Sequence, residues 1–525
     1  MSVQIAEYRI NFILPTNHSL TRQCVIDIEQ MKVNPSDLSR AGQHILDWIA
    51  CSSLGRISQA GTIYNSLIDF STHNNASKTI DSENQKCTAI GGRKCQWQDA
   101  LSHNGALGNV LEMDDIHRSS ILHPGPVVIP AALAIAEHID ANLQDFLTAV
   151  IKGYEVTIWL GQIIGQSHYK YFHNTATCGS LGAAMAVCSL LKLDQQQTVW
   201  ALGNAGSKTG GLWQMRNEKV LTKQWHNSES ARSGAMAAIL ASQGLSGPEF
   251  ILEGPQGVFS AMSSDAIYER PSAMNIQITD SAHSSENAVS ANSGDSLEHT
   301  NIANNINQGS GAGSINHHNW RMYDCSFKPW PACRHAHPAI DAVLTIFEQH
   351  QLTPGADLLA QIKSIHVDVY KDAMIFCDKP NPETELEAKF SIQHALSAIV
   401  MWGNPELAHY SPGAFNNSDI AMLRKKVSIS TNQAIQDKYP QHFGVKCTLQ
   451  LHNSRLLSVA LQDTLGDPER PLSNAQLNQK ATMLLQTSGM GQRNIQSLCH
   501  FNWSQNTSIH TLTQLFNFEA NTNDV

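Results

Sequence analysis

The strongest constraint on this chain is a long stretch of helical pattern in its first half. Between residues 95 and 245 no convincing strand-like alternation occurs, and apolar residues recur instead at helical spacing. We therefore expect an all-helical first half. The pattern predicts helices over residues 35–51, 97–112, 127–139, 143–163, 177–192, 201–212 and 231–243. Either Ser36 or Asp37 is placed to cap the first of these helices.

Two of the predicted helices, 177–192 and 201–212, carry unusually small side chains. In the first, glycine, serine and alanine fill most positions from Gly179 to Ala186. Because such a surface lets two helix backbones approach closely, we expect both helices to be central and buried. No G-x-G-x-x-G motif follows a strand, which excludes a dinucleotide-binding fingerprint.

The pattern changes in the second half of the chain, where strand-like and helical segments are mixed. Apolar and polar residues alternate as in strands over residues 365–370, 449–452 and 458–462. Helical spacing occurs over residues 339–349, 386–402 and 472–488. The second half therefore predicts an α+β region followed by a return to helix.

Residues 280–319 differ from both halves. Serine, asparagine and glycine fill half of these positions, and the segment contains no Lys, Arg, Phe, Tyr or Trp. Such a segment buries too little apolar area to offset the entropy lost on ordering. We therefore expect a flexible insertion between ordered blocks.

The charge and hydropathy patterns exclude several classes of partner. Lys and Arg number 35 against 45 Asp and Glu, and no basic run is long enough to follow a phosphate backbone, so we expect no nucleic-acid partner. The longest apolar stretch, near 127–139, is shorter than the roughly 20 residues of a membrane span. The N-terminus has no basic region followed by an apolar core. These patterns favour a cytoplasmic protein without a membrane partner.

Four segments concentrate ionisable side chains within apolar sequence: residues 112–126, 168–177, 221–231 and 325–338. Carboxylates and histidines on a loop between helices suit proton transfer, although a capped helix end with surface carboxylates would show the same residues. Clustered cationic side chains suit the binding of small carboxylates. Cys333, His335 and His337 alternate in the last segment, but this spacing is not that of a structural zinc site, so we expect no metal.

At these segments the chain resembles the 2-methylcitrate dehydratase/cis-aconitate decarboxylase family, also called MmgE/PrpD. The set of matching pieces is specific because their order and spacing agree across about 35–490, apart from the insertion. The pieces are Leu111–His117 with His123-Pro124, Gly153–Val156, His173–Thr177, Ala201–Gly206, Gly210–Leu212, Phe327–Pro331 with His337–Asp341, and Lys379–Ser391.

The resemblance implies a mainly α fold with an α+β second domain, as a large all-helical domain plus a smaller α+β lid. We expect the helical domain over residues 1–263, the lid over 264–462 with the insertion at about 280–319, and a return to the helical domain with a C-terminal tail over 463–525. The resemblance also implies a homodimer, a cleft between the domains, and no metal or organic cofactor.

The resemblance assigns two groups of site residues. The expected catalytic residues are His123, His173, Glu112 and Asp115. The expected substrate-binding residues are Lys223, Lys328, His226 and His117. The two lysines would neutralise substrate carboxylates and the charge that develops in the transition state. His123 or His173 would move the proton, since an imidazole titrates near neutral pH.

Some positions depart from the family pattern. Glu112 stands where the family has Asp, Ile116 where it has Thr, Phe376 where it has Tyr, and Cys333 where it has His. These departures argue against cis-aconitate decarboxylation as the reaction.

We therefore expect a cofactor-independent lyase of the dehydratase type. It would abstract a proton α to a carboxylate of a small di- or tricarboxylate such as 2-methylcitrate. One alternative is an epimerase or isomerase of an aspartate-derived diacid. Residues 123–130 resemble the branch of the family that includes an iminodisuccinate epimerase. Another is a catalytically silent carboxylate-binding member, favoured by the loss of hydroxyl groups at Ile116 and Phe376. An iron–sulfur hydratase is excluded because the 11 cysteines contain no Cys-x-x-Cys pair.

Overall fold

The computed structural model describes residues 19–73, 87–218, 220–271 and 320–518. The insertion expected over 280–319 lies outside these residues. The described part consists mainly of helices with a smaller α+β region, which confirms the predicted fold class.

The first half is helical, as predicted, apart from strands of two residues each. The helices are α1 (Leu20–Gln30), α2 (Pro35–Gly55), α3 (Gln59–His73), α4 (Trp97–Leu107), α5 (Gly125–His138), α6 (Leu143–Ile163), α7 (Gln166–Tyr169), α8 (Asn174–Leu191), α9 (Gln195–Ser207), α10 (Thr222–Ser242) and α11 (Val258–Met262). The short strands are β1 (Cys87–Thr88), β2 (Lys94–Cys95) and β3 (Ile116–His117), of which β3 pairs with β4 (Cys325–Ser326).

Several helix boundaries differ from the predicted ones: α9 begins and ends about five residues earlier than predicted, and α10 begins nine residues earlier, at Thr222. Helix α2 begins after Asn34 rather than at the expected cap, and the Asp37 carboxylate accepts a hydrogen bond from the Asn34 N–H at 2.8 Å. Helix α4 ends at Leu107 instead of residue 112. The chain then enters a long loop in which Glu112 has a φ of 58°, a value that no helix interior accommodates. This loop, residues 108–124, is called the α4–α5 loop below.

The small side chains of α8 allow this helix to pack closely against its neighbours. A Cβ atom added at Gly182 would lie 1.7 Å from Oγ1 of Thr157 and 2.6 Å from the carbonyl oxygen of Gly153, both on α6. One added at Gly234 of α10 would lie 2.2 Å from the Ser180 carbonyl oxygen of α8. The length and hydropathy of α8 would suit a membrane span, yet 89% of the helix is buried inside the protein. This helix is therefore central and tightly packed, as its composition predicted.

The second half contains a four-stranded sheet covered by helices. Its strands are β5 (Ile362–Val369), β6 (Val427–Thr431), β7 (Val445–Leu451) and β8 (Leu456–Leu461), in the order β6-β5-β7-β8. Only β5 and β6 run parallel. The helices of the second half are α12 (His337–His350), α13 (Ala356–Gln361), α14 (Lys371–Cys377), α15 (Glu385–Lys389), α16 (Ile392–Trp402), α17 (Pro412–Phe415), α18 (Ser418–Arg424), α19 (Gln433–Gln436), α20 (Asn474–Thr487), α21 (Gln492–Cys499) and α22 (His510–Thr513).

The helix predicted over 386–402 is in fact two helices, α15 and α16. Ser391 breaks the run because its hydroxyl oxygen accepts a hydrogen bond from the His394 N–H at 3.0 Å and so caps α16. The break leaves the last residue of α15, Lys389, at a helix end rather than within a continuous helix.

Buried apolar residues form two large clusters. The first contains side chains of α1, α2, α4–α6 and α8–α11, together with residues 320–325 and the helices after residue 473. The second extends from Trp330 to Leu457 and surrounds the four-stranded sheet. The chain crosses from one cluster to the other between Cys325 and Trp330. The expected domain limits at residues 263 and 462 stay predictions.

Gly182→Ala is expected to lower the free energy of unfolding by roughly 1–3 kcal/mol, as overpacking of a tight core does. Urea denaturation of the variant against the wild type measures this. Gly210→Ala is the matched control, because a Cβ atom there would have no heavy atom within 4 Å. Equal stability of the two variants would show that α6 and α8 can move apart at little cost in free energy.

Candidate functional site

The site is built around Glu112, a buried carboxylate on the α4–α5 loop. Nζ of Lys223, from α10, lies 2.5 Å from Oε1 of Glu112. Nζ of Lys328, from the segment after β4, donates to the Glu112 carbonyl oxygen at 2.9 Å and lies 3.4 Å from Oε2. Burial alone would raise the pKa of Glu112, but the charges of the two lysines and of His123 outweigh it and lower the pKa to about 2. The carboxylate is therefore ionised at neutral pH.

Lys328 is fully buried, with 0% of its surface exposed. Besides Glu112, it faces Oδ1 of Asp114 at 3.7 Å. Lys328 is therefore not a surface lysine in contact with solvent. Lys223 is less enclosed, with 21% of its side chain exposed.

His123 follows at the end of the same loop, next to Asp114. Its Nδ1 lies 3.0 Å from the carbonyl oxygen of Asp115 and 2.9 Å from Oδ2 of Asp114. Burial would raise the pKa of Asp114, but His123 and Lys328 hold it well below its usual value. Because the Asp115 carbonyl oxygen can only accept, Nδ1 carries a hydrogen, and only Nε2 could act as a base.

His173 lies opposite, as the residue that precedes α8. Its Nδ1 is 3.3 Å from Nδ1 of His226, and its ring lies 4.6 Å from that of Trp213. Burial, followed by the charge of Lys223, lowers the pKa of His173 well below its ordinary value. Burial also lowers the pKa of His226. Both imidazoles are therefore neutral at neutral pH.

Gly211 fixes the position of His173. Its φ of +111° lets its carbonyl oxygen accept the His173 N–H at 2.8 Å. A Cβ atom there would lie 2.8 Å from Cβ of Ala176 and 3.3 Å from Nδ1 of His226. This close approach accounts for the glycine pair at residues 210–211.

The contacts of Asp115 hold the α4–α5 loop in place and do not involve the two lysines. Its Oδ2 accepts the Tyr154 hydroxyl hydrogen at 2.9 Å and lies 2.7 Å from Nδ1 of His44, while Oδ1 is 3.3 Å from the Gly125 N–H. These contacts join the loop to α6, α2 and α5. The carboxylate of the neighbouring Asp114 approaches the lysine–histidine cluster, a role that the sequence analysis gave to Asp115.

His117 also lies apart from the cluster. It belongs to β3, and its Nδ1 contacts the Ser120 hydroxyl at 2.7 Å. Burial and the nearby Arg321 and Arg118 lower its pKa to about 3. These contacts favour a role in shaping the loop over the expected contact with substrate.

Cys333, His335 and His337 do not converge on one point. The Cys333 thiol hydrogen-bonds to that of Cys377, and Nδ1 of His335 contacts the Tyr370 hydroxyl at 2.8 Å. Nε2 of His337 faces the Ala332 carbonyl oxygen at 3.1 Å. Their alternation therefore does not build a metal site.

His442, Asp463 and Glu469 form a group with metal-ligand spacing among the described residues. Arg118 already engages it, at 3.2 Å from Oδ1 of Asp463 and 2.7 Å from Oε1 of Glu469. The arginine supplies the positive charge that a cation would bring. We interpret the group as an ion-pair network between the α4–α5 loop and residues 463–469.

A cavity of about 610 Å³ adjoins the cluster. Its wall includes Tyr169, Trp213, Arg216 and Phe376. The Trp213 ring contacts His173, and the Arg216 guanidinium lies 4.2 Å from the centre of the Phe376 ring. Trp213 therefore lies between the cavity and His173, while Glu112, Lys223 and Lys328 do not belong to the cavity wall.

The structure gathers six of the eight predicted site residues around one point: Glu112, His123, His173, Lys223, His226 and Lys328. The sequence analysis assigned no role to Asp114 or Trp213. The first of these carried a usable signal, because it is a second carboxylate in the same loop. No signal in the sequence marked Trp213, apart from its position shortly after Gly210 and Gly211.

Asp115→Ala is expected to lower the free energy of unfolding by roughly 1–3 kcal/mol, because buried donors on Tyr154 and His44 lose their acceptor. Urea denaturation measures this, with the exposed Asp437→Ala as control. A stable Asp115→Ala protein that has lost activity would instead place this carboxylate in the chemistry.

Two family models match most of the chain. The model described as MmgE/PrpD N-terminal domain matches residues 24–271, and the one described as MmgE/PrpD C-terminal domain matches residues 330–503. The cis-aconitate decarboxylase-like protein oryM of Aspergillus oryzae is 31% identical over 252 residues, which are 44% of this chain and 49% of that protein. The match therefore spans about half the length of this relative.

Two further relatives match over a longer stretch at lower identity. The cis-aconitate decarboxylase of Mus musculus is 24% identical over 387 residues, 72% of this chain and 69% of that protein. The cis-aconitate decarboxylase of Homo sapiens is 23% identical over 395 residues, 72% of this chain and 70% of that protein.

Proposed function

This chain belongs to the MmgE/PrpD family, and from that premise we propose that it is a cofactor-independent lyase acting on a small di- or tricarboxylate. The family expected from the sequence, and with it an enzyme of that family, is confirmed. The reaction and the substrate are proposals. The dehydration of a 2-methylcitrate-like substrate remains the first of them.

One observation carries the proposal: a histidine paired with a carboxylate stands beside buried lysines. Nδ1 of His123 is held by the Asp114 and Asp115 oxygens, which orients the ring and leaves Nε2 to act as a base. Lys223 and Lys328 provide positive charge in a dry environment, where it stabilises an anion strongly. This arrangement suits removal of a proton α to a carboxylate.

The proton and electron pair can be followed through a dehydration. His123 Nε2 takes the α-proton, and the C–H electron pair becomes the new C=C bond as the hydroxyl group leaves. The leaving oxygen needs a proton, which His173 or His226 would have to take up together with the anionic substrate, because burial, followed for His173 by the charge of Lys223, keeps both imidazoles neutral in the free protein. Water and an unsaturated polycarboxylate are the products.

Decarboxylation is a second candidate, favoured by the names of the three relatives. There a carboxylate leaves as carbon dioxide, and a protonated imidazole delivers a proton to the carbanion. The aspartate-derived epimerisation needs only removal and return of one proton. Dehydration and epimerisation need an imidazole base, whereas decarboxylation needs an imidazole acid, and the same histidines and cations could serve all three reactions.

Proton NMR in D₂O with 2-methylcitrate, citrate, cis-aconitate and aspartate-derived diacids tests the proposal. A new vinyl signal identifies a dehydratase, loss of carbon dioxide a decarboxylase, and α-proton exchange alone an epimerase. Stabilisation by a ligand without turnover of any would identify a silent binding protein. The homodimer, which the family resemblance implies, and the cytoplasmic location, which the sequence patterns favour, remain proposals.

His123→Ala is expected to lower kcat/KM by about 10²–10⁴, the usual contribution of a positioned acid–base group. Steady-state kinetics on the substrate found by NMR measure it. The exposed His452→Ala serves as control. Equal kcat/KM in His123→Ala and wild type would remove His123 from the reaction.

Lys328→Ala is expected to weaken both substrate binding and turnover, because the site then loses the buried cation that faces both Glu112 and Asp114. Lys328→Arg should restore only part of the binding and turnover, since a wide guanidinium does not replace a compact ammonium group. Binding affinity and kcat/KM are compared with the exposed Lys371→Ala. Unchanged affinity and turnover in Lys328→Ala would exclude this lysine from the site.

A further inference from the structure

We propose that Asn109 is a positioning residue of this site: its side-chain amide holds the Asp114 carboxylate in the orientation in which that carboxylate faces His123. This inference rests on the proposed function, since it takes His123 to be the base. It adds an amide to the carboxylates and the histidine already described in the α4–α5 loop.

Asn109 lies near the start of the α4–α5 loop and makes a short contact with Asp114. Its Nδ2 donates a hydrogen bond to Oδ1 of Asp114 at 2.6 Å. The other oxygen of that carboxylate, Oδ2, lies 2.9 Å from Nδ1 of His123. The Asp114 carboxylate therefore links the amide of Asn109 to the imidazole of the candidate base.

The orientation of the amide follows from the charge of its partner. Burial would raise the pKa of Asp114, but His123 and Lys328 hold it well below its ordinary value, so the carboxylate is ionised and can only accept hydrogen bonds. The atom of Asn109 at 2.6 Å must therefore be the nitrogen. A flipped amide would place two acceptor oxygens against each other.

The side chain of Asn109 serves Asp114 alone. Asn109 is 0% exposed and Asp114 is 1% exposed, so solvent does not compete for their contact. The other polar atom of the amide, Oδ1, is buried and has no hydrogen-bond partner within the described residues. The gain from a hydrogen bond to a charged group and the cost of an orphaned acceptor are of similar size. The amide therefore adds little net stability, and its effect is on the geometry of the carboxylate.

Without the amide, the carboxylate has a competing partner. Nζ of Lys328 lies 3.7 Å from the same Oδ1 of Asp114, which is too far for a hydrogen bond. An oxygen that has lost its donor would move toward this ammonium group. Rotation of the carboxylate about its Cβ–Cγ bond would then carry Oδ2 away from Nδ1 of His123. Asn109 thus prevents Asp114 from pairing fully with the lysine.

The expected effect is smaller than that of removing the base. The Asp115 carbonyl oxygen accepts from Nδ1 of His123 at 3.0 Å, so the imidazole keeps one contact when Asp114 turns away. Asn109→Ala should lower kcat roughly 10- to 100-fold, as a small displacement of a reacting group does. KM should stay within about twofold, because the amide is bonded to Asp114 and the change falls on the proton transfer.

A double variant tests whether Asn109 acts through His123. In a His123→Ala background, Asn109→Ala should change kcat by less than about twofold, because the group that Asn109 positions is then absent. Steady-state kinetics on the substrate found by NMR measure both effects. An equal loss of kcat with and without His123 would overturn the inference, and so would an unchanged kcat in Asn109→Ala.

Asn109→Asp keeps the shape of the side chain and makes the donor depend on pH. Two carboxyl groups at this distance share one proton, which raises the pKa of one of them. Below that pKa an O–H group takes the place of the amide N–H. Above it the donor is lost and two like charges face each other. The ratio of kcat in this variant to kcat in the wild type should therefore fall as the pH rises.

Asn104→Ala is the matched control. Asn104 is also a buried asparagine, on α4, but its amide bonds to the backbone of Thr88 and Ile90 and not to a site residue. This variant should lose stability in urea denaturation and keep the kcat of the wild type. If Asn109→Ala does not fold, Asn109→Asp decides: a wild-type kcat at every pH would assign Asn109 to stability alone.

Crystal structures of the wild type and Asn109→Ala test the placement without turnover. In the variant, Oδ2 of Asp114 should lie farther from Nδ1 of His123, and Oδ1 should lie closer to Nζ of Lys328. An unmoved carboxylate would overturn the inference. Failure of the proposed function looks different: a wild type that converts no member of the NMR panel would refute the lyase, and the two structures would still decide whether Asn109 places Asp114.

Discussion

The ion pairs of Glu112 hold the candidate site and the two apolar clusters in one arrangement. The carboxylate belongs to a loop of the first cluster, Lys223 comes from α10, and Lys328 precedes the second cluster. Removing one member of a buried pair leaves an unpaired charge, which costs far more than the pair contributes. The positive φ of Glu112 is a further cost, which these contacts offset. A change at any of the three charges is therefore felt in both packing and binding.

Packing of the helical cluster sets the other half of the site. Gly182 lets α8 approach α6, and the N-terminal end of α8 then carries His173 toward the lysines. The Asp115 network fixes the α4–α5 loop against α2, α5 and α6, so that His123 and Asp114 face the same point. Neither histidine sits on a flexible element. Proton transfer depends on such fixed geometry, because a displacement of one ångström can lower a rate about a hundredfold.

Sequence reasoning predicted most of the longer helices and three of the four sheet strands, because each shows a periodic pattern. It missed α1 and α3, and it missed β6, whose Ser428 and Ser430 give little apolar alternation. Six of the eight predicted site residues lie close together in the structure, because they come from motifs of several residues. The sequence analysis named Asp115 and not Asp114, since two adjacent carboxylates differ only in where a loop of unusual backbone angles points them.

One departure from the family pattern, Glu112, lies at the centre of the site, and the other three lie around it without replacing His123 or Asp114. Phe376 lines the cavity beside Arg216, and Ile116 is buried in β3. Cys333 pairs with Cys377 and touches the backbone of Lys389. His123 with Asp114, and the two lysines, keep the contacts that removal of an α-proton requires. Different residues in the cavity wall beside the same candidate base, His123, would change which substrate fits and which of its bonds lies in position for cleavage.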